Sequence, residues 1–260
     1  MELGLKGKVA VITGASKGIG LRTARLLAME GADVAICART EAALEEAKRA
    51  IEQASGRRVF AMPVDVRQAQ ACESFIDAVA ETFGRIDILV NNAGTANARD
   101  FLSVSDEDWQ GDLDLKLFAA IRCSRRAVPH MQRQGGGAIV NVTAIGGKTP
   151  GPSSMPSSVT RAAGIALTKA MSKDLGKHGI RVNAVCIGQI RSNQIEKMWK
   201  AQRPDLTWEE FSRLPEHNIP LGRIGDTDEA ARVIAFLASD AASYVTGVAL
   251  NIDGGLAAMW

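Results

Sequence analysis

Eight residues, Thr13-Gly14-Ala15-Ser16-Lys17-Gly18-Ile19-Gly20, follow the apolar run Val9 to Ile12 and lead into an amphipathic helix that begins near Leu21. Glycines let a backbone turn tightly and approach an anion. The free N–H groups and positive dipole end of the helix then attract that anion. The segment therefore reads as a phosphate-holding loop. Its glycines, at 14, 18 and 20, are spaced more widely than in the dinucleotide fingerprint Gly-x-Gly-x-x-Gly. Its weight comes from its position, the first strand-to-helix turn of a chain that alternates strands and helices to its end.

Short runs rich in Val, Ile and Ala recur at 9–13, 33–38, 58–62, 86–91, 138–143, 180–186 and 247–252. Each is too uniformly apolar to have one wet face, so the strands are predicted to be covered on both sides. Helix-length stretches lie between them at about 18–30, 41–54, 68–83, 106–131, 157–177 and 227–238. Ser105-Asp106-Glu107-Asp108 and Asp226-Thr227-Asp228-Glu229 resemble capping boxes. The pattern predicts an α/β fold: a single Rossmann-type, doubly wound parallel sheet of about seven strands with helices on both faces. Ligands of such sheets bind at the carboxyl ends of the strands.

With 260 residues, 46% hydrophobic and 23% charged, the chain fits one domain spanning 1–260. Residues 188–225 break the rhythm as a long excursion after the sixth strand, with Met198, Trp199, Trp208 and Phe211 and a helix start at Thr207-Trp208-Glu209-Glu210. This insertion is read either as a substrate lid or as small helices whose aromatics pack onto the body. The net charge of +2, without a run of like charges, argues against nucleic acid as a partner. No apolar stretch approaches the roughly 20 residues that span a bilayer, and Met1 to Lys8 lacks a signal-peptide core, so no membrane partner and a cytoplasmic location are expected. Cys37, Cys72, Cys123 and Cys186 form no Cys-x-x-Cys, and His130, His178 and His217 share no ligand spacing. Free thiols and no metal are expected.

At this point the residues resemble the classical short-chain dehydrogenase/reductase family over essentially the whole chain. The ordered motifs are Thr13 to Gly20, Asp65-Val66, Asn91-Asn92-Ala93-Gly94, Ile139-Val140-Asn141-Val142, Arg181-Val182-Asn183, Pro220-Leu221-Gly222-Arg223 and Asp253-Gly254-Gly255. The resemblance implies a nicotinamide dinucleotide cofactor, with Gly14, Ser16, Lys17, Gly18, Ile19 and Gly20 at its phosphates. Asp65 and Val66 would lie at the adenine, the Asn91-Ala93-Gly94 turn beside the ribose, and Gly188 to Ile190 along the nicotinamide. Ile187 stands where the family has a proline. The resemblance further implies a homo-oligomer, a tetramer or dimer, pairing through helices 106–131 and 157–177.

Relatives that use NAD usually carry an acid at the end of the second strand. Here that place is Ala38, followed by Arg39. Arg39 can fork onto a 2′-phosphate and Lys17 adds a second charge, which predicts NADP(H). A solvated Arg39 at the start of the next helix is the plainer alternative.

The family's catalytic set is a serine after the fifth strand, a tyrosine thirteen positions later, a lysine four beyond, and an asparagine in the preceding helix. Alignment on Ile139 to Thr143 puts Ala144 at the serine, Ser157 at the tyrosine and Arg161 at the lysine. Alignment from Trp109 through Leu115 puts Lys116 at the asparagine. The only tyrosine in the chain, Tyr244, lies before the last strand. Serine lacks the accessible ionisation of a phenol, and arginine remains protonated where lysine relays protons, although Arg161 can still hold the cofactor's ribose hydroxyls and lend positive charge. Lys116 is the candidate replacement: desolvated beside Arg161 its pKa would fall toward neutrality. The alternative is that its head simply reaches solvent or pairs with Asp112 or Asp114. Thr143, Lys148, Ser153 and Ser154 are further polar groups on the same loop. Three readings stay open: an NADP(H)-dependent oxidoreductase of a carbonyl or alcohol with Lys116, Ser157 and Arg161 as its catalytic groups, a non-catalytic NADP(H)-binding homologue or inactive partner subunit, and a lyase or isomerase on the same fold.

Overall fold

The computed structural model describes residues 2–259, apart from the side chain of Asn193. The chain runs β1 (Val9–Thr13), α1 (Gly18–Met29), β2 (Asp33–Ala38), α2 (Glu41–Ser55), β3 (Val59–Pro63), α3 (Ala69–Phe83) and β4 (Ile88–Asn91). A short β5 (Ala98–Arg99) precedes α4 (Asp106–Leu113), which passes through a π-helical turn, Asp114–Phe118, into α5 (Ala119–Arg133). Then come β6 (Gly137–Ala144), β7 (Met155–Pro156), α6 (Ser157–Leu175), β8 (Ile180–Ile187), α7 (Asn193–Gln202), α8 (Trp208–Ser212), α9 (Thr227–Ala238) and β9 (Ala249–Ile252).

Seven strands form one sheet in the order β3-β2-β1-β4-β6-β8-β9, and every pair in it is parallel. The seven apolar runs are these seven strands. Along β1, Ala10 and Ile12 pack into a core with Leu27, Leu44 and Ile234, while Val9 and Val11 pack into a second core with Phe75, Ile76 and Met131. Alternate side chains thus enter opposite cores. The expectation of cover on both faces fails at the sheet's edges, where β3 is only partly buried and β9 leaves Leu250 exposed because, among the described residues, no neighbouring strand or helix closes over it. The strand order reverses direction between β1 and β4, so the loops leaving their carboxyl ends diverge and leave a crevice there. β5 pairs antiparallel with β7, Ala98 opposite Pro156 and Arg99 opposite Met155. This small ribbon fastens the chain beyond Gly94 to the segment that leads into α6.

All three expected helix starts are capping boxes: Ser105 with Asp108, Thr207 with Glu210, and Asp226 with Glu229. The stretch 106–131 is not one regular helix, because the wider π turn interrupts it at Asp114–Phe118. Such turns shift the register of every side chain beyond them and recur at functional sites. α1 begins at Gly18, as the stretch 18–30 predicts and three residues before the Leu21 start read from the glycine loop, so Gly18 and Gly20 belong to the helix's first turn.

The excursion at 188–225 closes on itself, with Ile190 bridging Gly225 and Arg191 N donating to Gly225 O at 2.8 Å. Its aromatics pack largely on one another. Trp199 and Trp208 meet edge to face at 5.6 Å between centroids, and the buried Phe211 sits against both with Ile219 and Ile224. Among the described residues, no helix is long and apolar enough to cross a membrane.

Candidate active site

The crevice between β1 and β4 is lined by backbone held unusually close. Gly14 has φ of +67°, and a Cβ there would lie 2.8 Å from the Cα of Ala93. At Gly20 a Cβ would overlap the Asn92 amide nitrogen and come within 2.6 Å of Gly14 O. Only glycine fits either place. No side chain caps α1, so the N–H groups of its first turn are unclaimed by a side chain at the mouth of the crevice. Ser16 lies half-exposed in the loop, and Ile19 packs its side chain onto the core.

Thr13 and Asn92 knit the two loops together, a role the sequence reading did not anticipate. Thr13 Oγ1 accepts from the N–H groups of Asn92 and Ala93 at 3.0 and 3.1 Å. The Asn92 amide donates to Thr13 O and Gly14 O at 2.9 and 3.0 Å. Asn91, in contrast, turns its side chain inward, donating to Ser124 Oγ at 3.1 Å and Asn141 Oδ1 at 2.8 Å, and Asn141 donates on to Thr168. Its contribution to the crevice is therefore its backbone.

Arg39, just beyond β2, and Lys17, at the N-cap of α1, are both exposed, and neither forms an ion pair with a described residue. The Asp65 carboxylate is gripped by Arg67, with Nη2 to Oδ2 at 2.5 Å, which holds its pKa below the ordinary carboxylate value, with a smaller contribution from nearby Arg39. Val66 is buried beside it. Gly188 runs so close beside the chain leaving β9 that a Cβ would lie 2.5 Å from that of Asp253, and Ile190, 5% exposed, anchors the base of the excursion.

The candidate catalytic groups do converge. Lys116, on the π turn, donates from Nζ to Ser157 Oγ at 2.6 Å and to Asp112 Oδ1 at 2.5 Å, with its side chain only 3% exposed. Burial and the neighbouring Arg161 guanidinium push Lys116 down to about 8, while Asp112 acts to raise it. Of the alternatives for this lysine, burial beside Arg161 and pairing with Asp112 occur together, and its head does not reach solvent. Asp114 instead pairs with Arg122. Ser157 Oγ also accepts weakly from Asn97 N at 3.5 Å, on the chain that β5 fastens in place. Arg161, one turn further along α6, donates to Val142 O at 2.8 Å and lays Nη2 against Gly94, where a Cβ would be 3.1 Å away; burial pushes its pKa down.

Of the other polar groups of the loop, Ser153 is exposed and three are committed elsewhere. Thr143 Oγ1 donates to Val185 O, Lys148 Nζ reaches Ala249 O and Asn251 Oδ1, and Ser154 Oγ donates to Gly151 O. Across the mouth of the site, Gln194 on α7 donates to Thr95 Oγ1 at 3.0 Å. Chemically, the cluster offers a hydroxyl backed by a buried amine of lowered pKa, with a guanidinium alongside.

A family profile described as Enoyl-(Acyl carrier protein) reductase matches residues 14–257. The chain belongs to the short-chain dehydrogenase/reductase family of oxidoreductases. Among its relatives, the 3-oxoacyl-(acyl-carrier-protein) reductase FabG of Thermotoga maritima is 37% identical over 252 residues, covering 97% of this chain and 98% of that protein. L-sorbose reductase from Gluconobacter frateurii, solved with NADPH and L-sorbose, superposes with a TM-score of 0.95 at 35% identity over 100% of both chains. The NADPH-bound short chain oxidoreductase of Pseudomonas aeruginosa PAO1, described as containing an atypical catalytic center, superposes with a TM-score of 0.93 at 37% identity, over 99% of this chain and 100% of that one.

Proposed function

We propose that this protein is an NADP(H)-dependent oxidoreductase of a carbonyl or alcohol, a divergent member of its family in which Ser157, Lys116 and Arg161 replace the usual tyrosine, asparagine and lysine, with Ala144 at the usual serine. The observation that carries this reading is the 2.6 Å contact from the buried Lys116 ammonium to Ser157 Oγ. NADPH would supply the hydride, two electrons and a proton nucleus, to the carbonyl carbon. The chain's own groups supply the proton that the oxygen then needs. Ser157 Oγ accepts from Lys116, so its own O–H is free to donate to the substrate oxygen, directly or through one water. Lys116 returns a proton to Ser157 and is refilled from solvent. Oxidation runs the same path backwards. Arg161 adds positive charge where negative charge develops on oxygen.

The cofactor reading is supported by the residues present. The glycine cradle admits close backbone approach, and the unpaired cations Lys17 and Arg39 favour a 2′-phosphate over a bare ribose. Gly18, Ile19, Asp65, Val66, Ala93, Gly94, Gly188 and Ile190 would border the remainder. We read residues 188–225 as a lid on the substrate, supported by the Gln194–Thr95 hydrogen bond across the mouth, and the assembly as a homo-tetramer or dimer.

The test is to titrate NADPH and NADH by fluorescence and then follow NADPH oxidation with a panel of ketones, aldehydes and imines. The reading expects tighter binding of NADPH and turnover of at least one carbonyl. Tight NADPH binding without turnover of any would replace it with a cofactor-binding role. Sedimentation of a monomer at micromolar concentration would remove the oligomer.

A further inference from the structure

Asp112 lies one helical turn before Lys116 and is 3% exposed. Both of its oxygens are engaged by groups of the site. Oδ1 accepts from Lys116 Nζ, and Oδ2 accepts from Thr160 Oγ1 at 2.5 Å. Thr160, itself buried, stands on α6 between Ser157 and Arg161. A single carboxylate therefore ties the helix that carries Lys116 to the helix that carries the other two candidate groups. A lysine side chain has four rotatable bonds and no fixed direction of its own. Here one of its three N–H groups is spent on Asp112, and a second is directed at Ser157 Oγ.

Resting on the reading of Lys116 and Ser157 given above, we infer that Asp112 is the positioning residue of this site: it holds the Lys116 ammonium charged and pressed against Ser157, with Thr160 fixing the carboxylate in turn. The charged groups that meet Lys116 are few. Asp112 faces it from α4 and Arg161 from α6, whereas Arg122 on α5 turns to Asp114, and Asp108 on α4 turns to Arg99. Removing the Asp112 charge would leave the ammonium facing a guanidinium alone. Burial and that guanidinium already bring Lys116 down to about 8, and Asp112 is the opposing influence.

Asp112→Asn keeps the shape and can keep both hydrogen bonds, its oxygen accepting from Lys116 and its N–H2 donating to Thr160. Only the charge is lost. Two readouts separate this inference from the functional reading. The first needs no substrate: the side-chain NMR resonance of Lys116 in labelled holoenzyme, assigned by its loss in Lys116→Met, is followed against pH. Asp112→Asn should lower its midpoint by about one pH unit or more. The second is the pH profile of kcat for carbonyl reduction, whose alkaline limb should move down by the same amount with KM unchanged. Asp112→Glu separates place from charge: Lys116 should titrate close to its wild-type midpoint while kcat falls about tenfold or more, because the ammonium is moved off Ser157.

A midpoint unmoved in Asp112→Asn overturns the inference. Should that variant not fold, wild-type kcat in Asp112→Glu overturns it. A midpoint that moves while the kcat limb stays, or moves in a protein without turnover, leaves Asp112 as the group that holds Lys116 and overturns the role of Lys116 as proton donor.

Discussion

Replacing Lys116 by methionine separates the stability of the buried pair from its chemistry. The substitution removes the ammonium but leaves the Asp112 carboxylate, 2% exposed at its side chain, facing a thioether, with only Thr160 still donating to it. Removing one partner of a buried ion pair costs about 3–5 kcal/mol, and at about 2–4 °C per kcal/mol for a chain of this size Tm should fall by roughly 6–20 °C. Adding Asp112→Asn removes the uncompensated charge while retaining a partner for Thr160, so the double variant should recover most of that loss. Activity should not follow. Without the proton source, kcat for carbonyl reduction should fall about 10²–10⁴-fold in the single and the double variant alike, with NADPH affinity nearly unchanged. Thermal melts at pH 7 and NADPH-oxidation assays read the two effects separately. A single variant that melts with the wild type would refute the burial argument. Undiminished turnover in a folded Lys116→Met protein would remove the mechanism.

Further expectations concern the cofactor and pH. Arg39→Ala should narrow the preference for NADPH over NADH by about tenfold, the equivalent of one hydrogen bond to a charged group, and calorimetric titration of both cofactors checks it. Gly20→Ala should abolish tight NADPH binding, because its Cβ overlaps the Asn92 amide and lies 2.6 Å from Gly14 O; wild-type affinity in the variant would show that the cradle is not the binding surface. In the wild type, kcat for reduction should fall as pH rises through about 8, where Lys116 gives up its proton, rather than near the ordinary lysine value of 10.5. Oxidation should rise over the same range. A flat reduction profile from pH 7 to 9 would contradict this assignment.

The architecture was legible in the pattern of apolar runs. Strands such as Val9–Thr13 and Ile88–Asn91 are buried along their whole length, and a strand apolar on both faces needs cover on both, so each run points to a sheet between two helical layers. The caps at Ser105, Thr207 and Asp226 were legible for a similar reason, since they act within four residues. The glycine loop was legible as a cradle, but not the reason for Gly20, which is the Asn92 side chain arriving from 72 positions further along the chain.

Lys116 and Ser157 could be named from the sequence only as separate replacements. Their 2.6 Å contact spans 41 residues and depends on how the π turn presents one helix to another, which no local pattern encodes. The i, i+4 spacing of Asp112 and Lys116 was visible, yet on a helix surface it would describe an ordinary solvated pair worth little. Only tertiary packing decided that the pair is buried, that Thr160 closes its other side, and that Asn91 faces inward while Asn92 faces the crevice. Side chains four residues apart meet because of helix geometry alone. Whether they meet in water or out of it is set by the rest of the chain, and that difference decides whether a lysine is a surface charge or a group able to lose its proton near neutral pH.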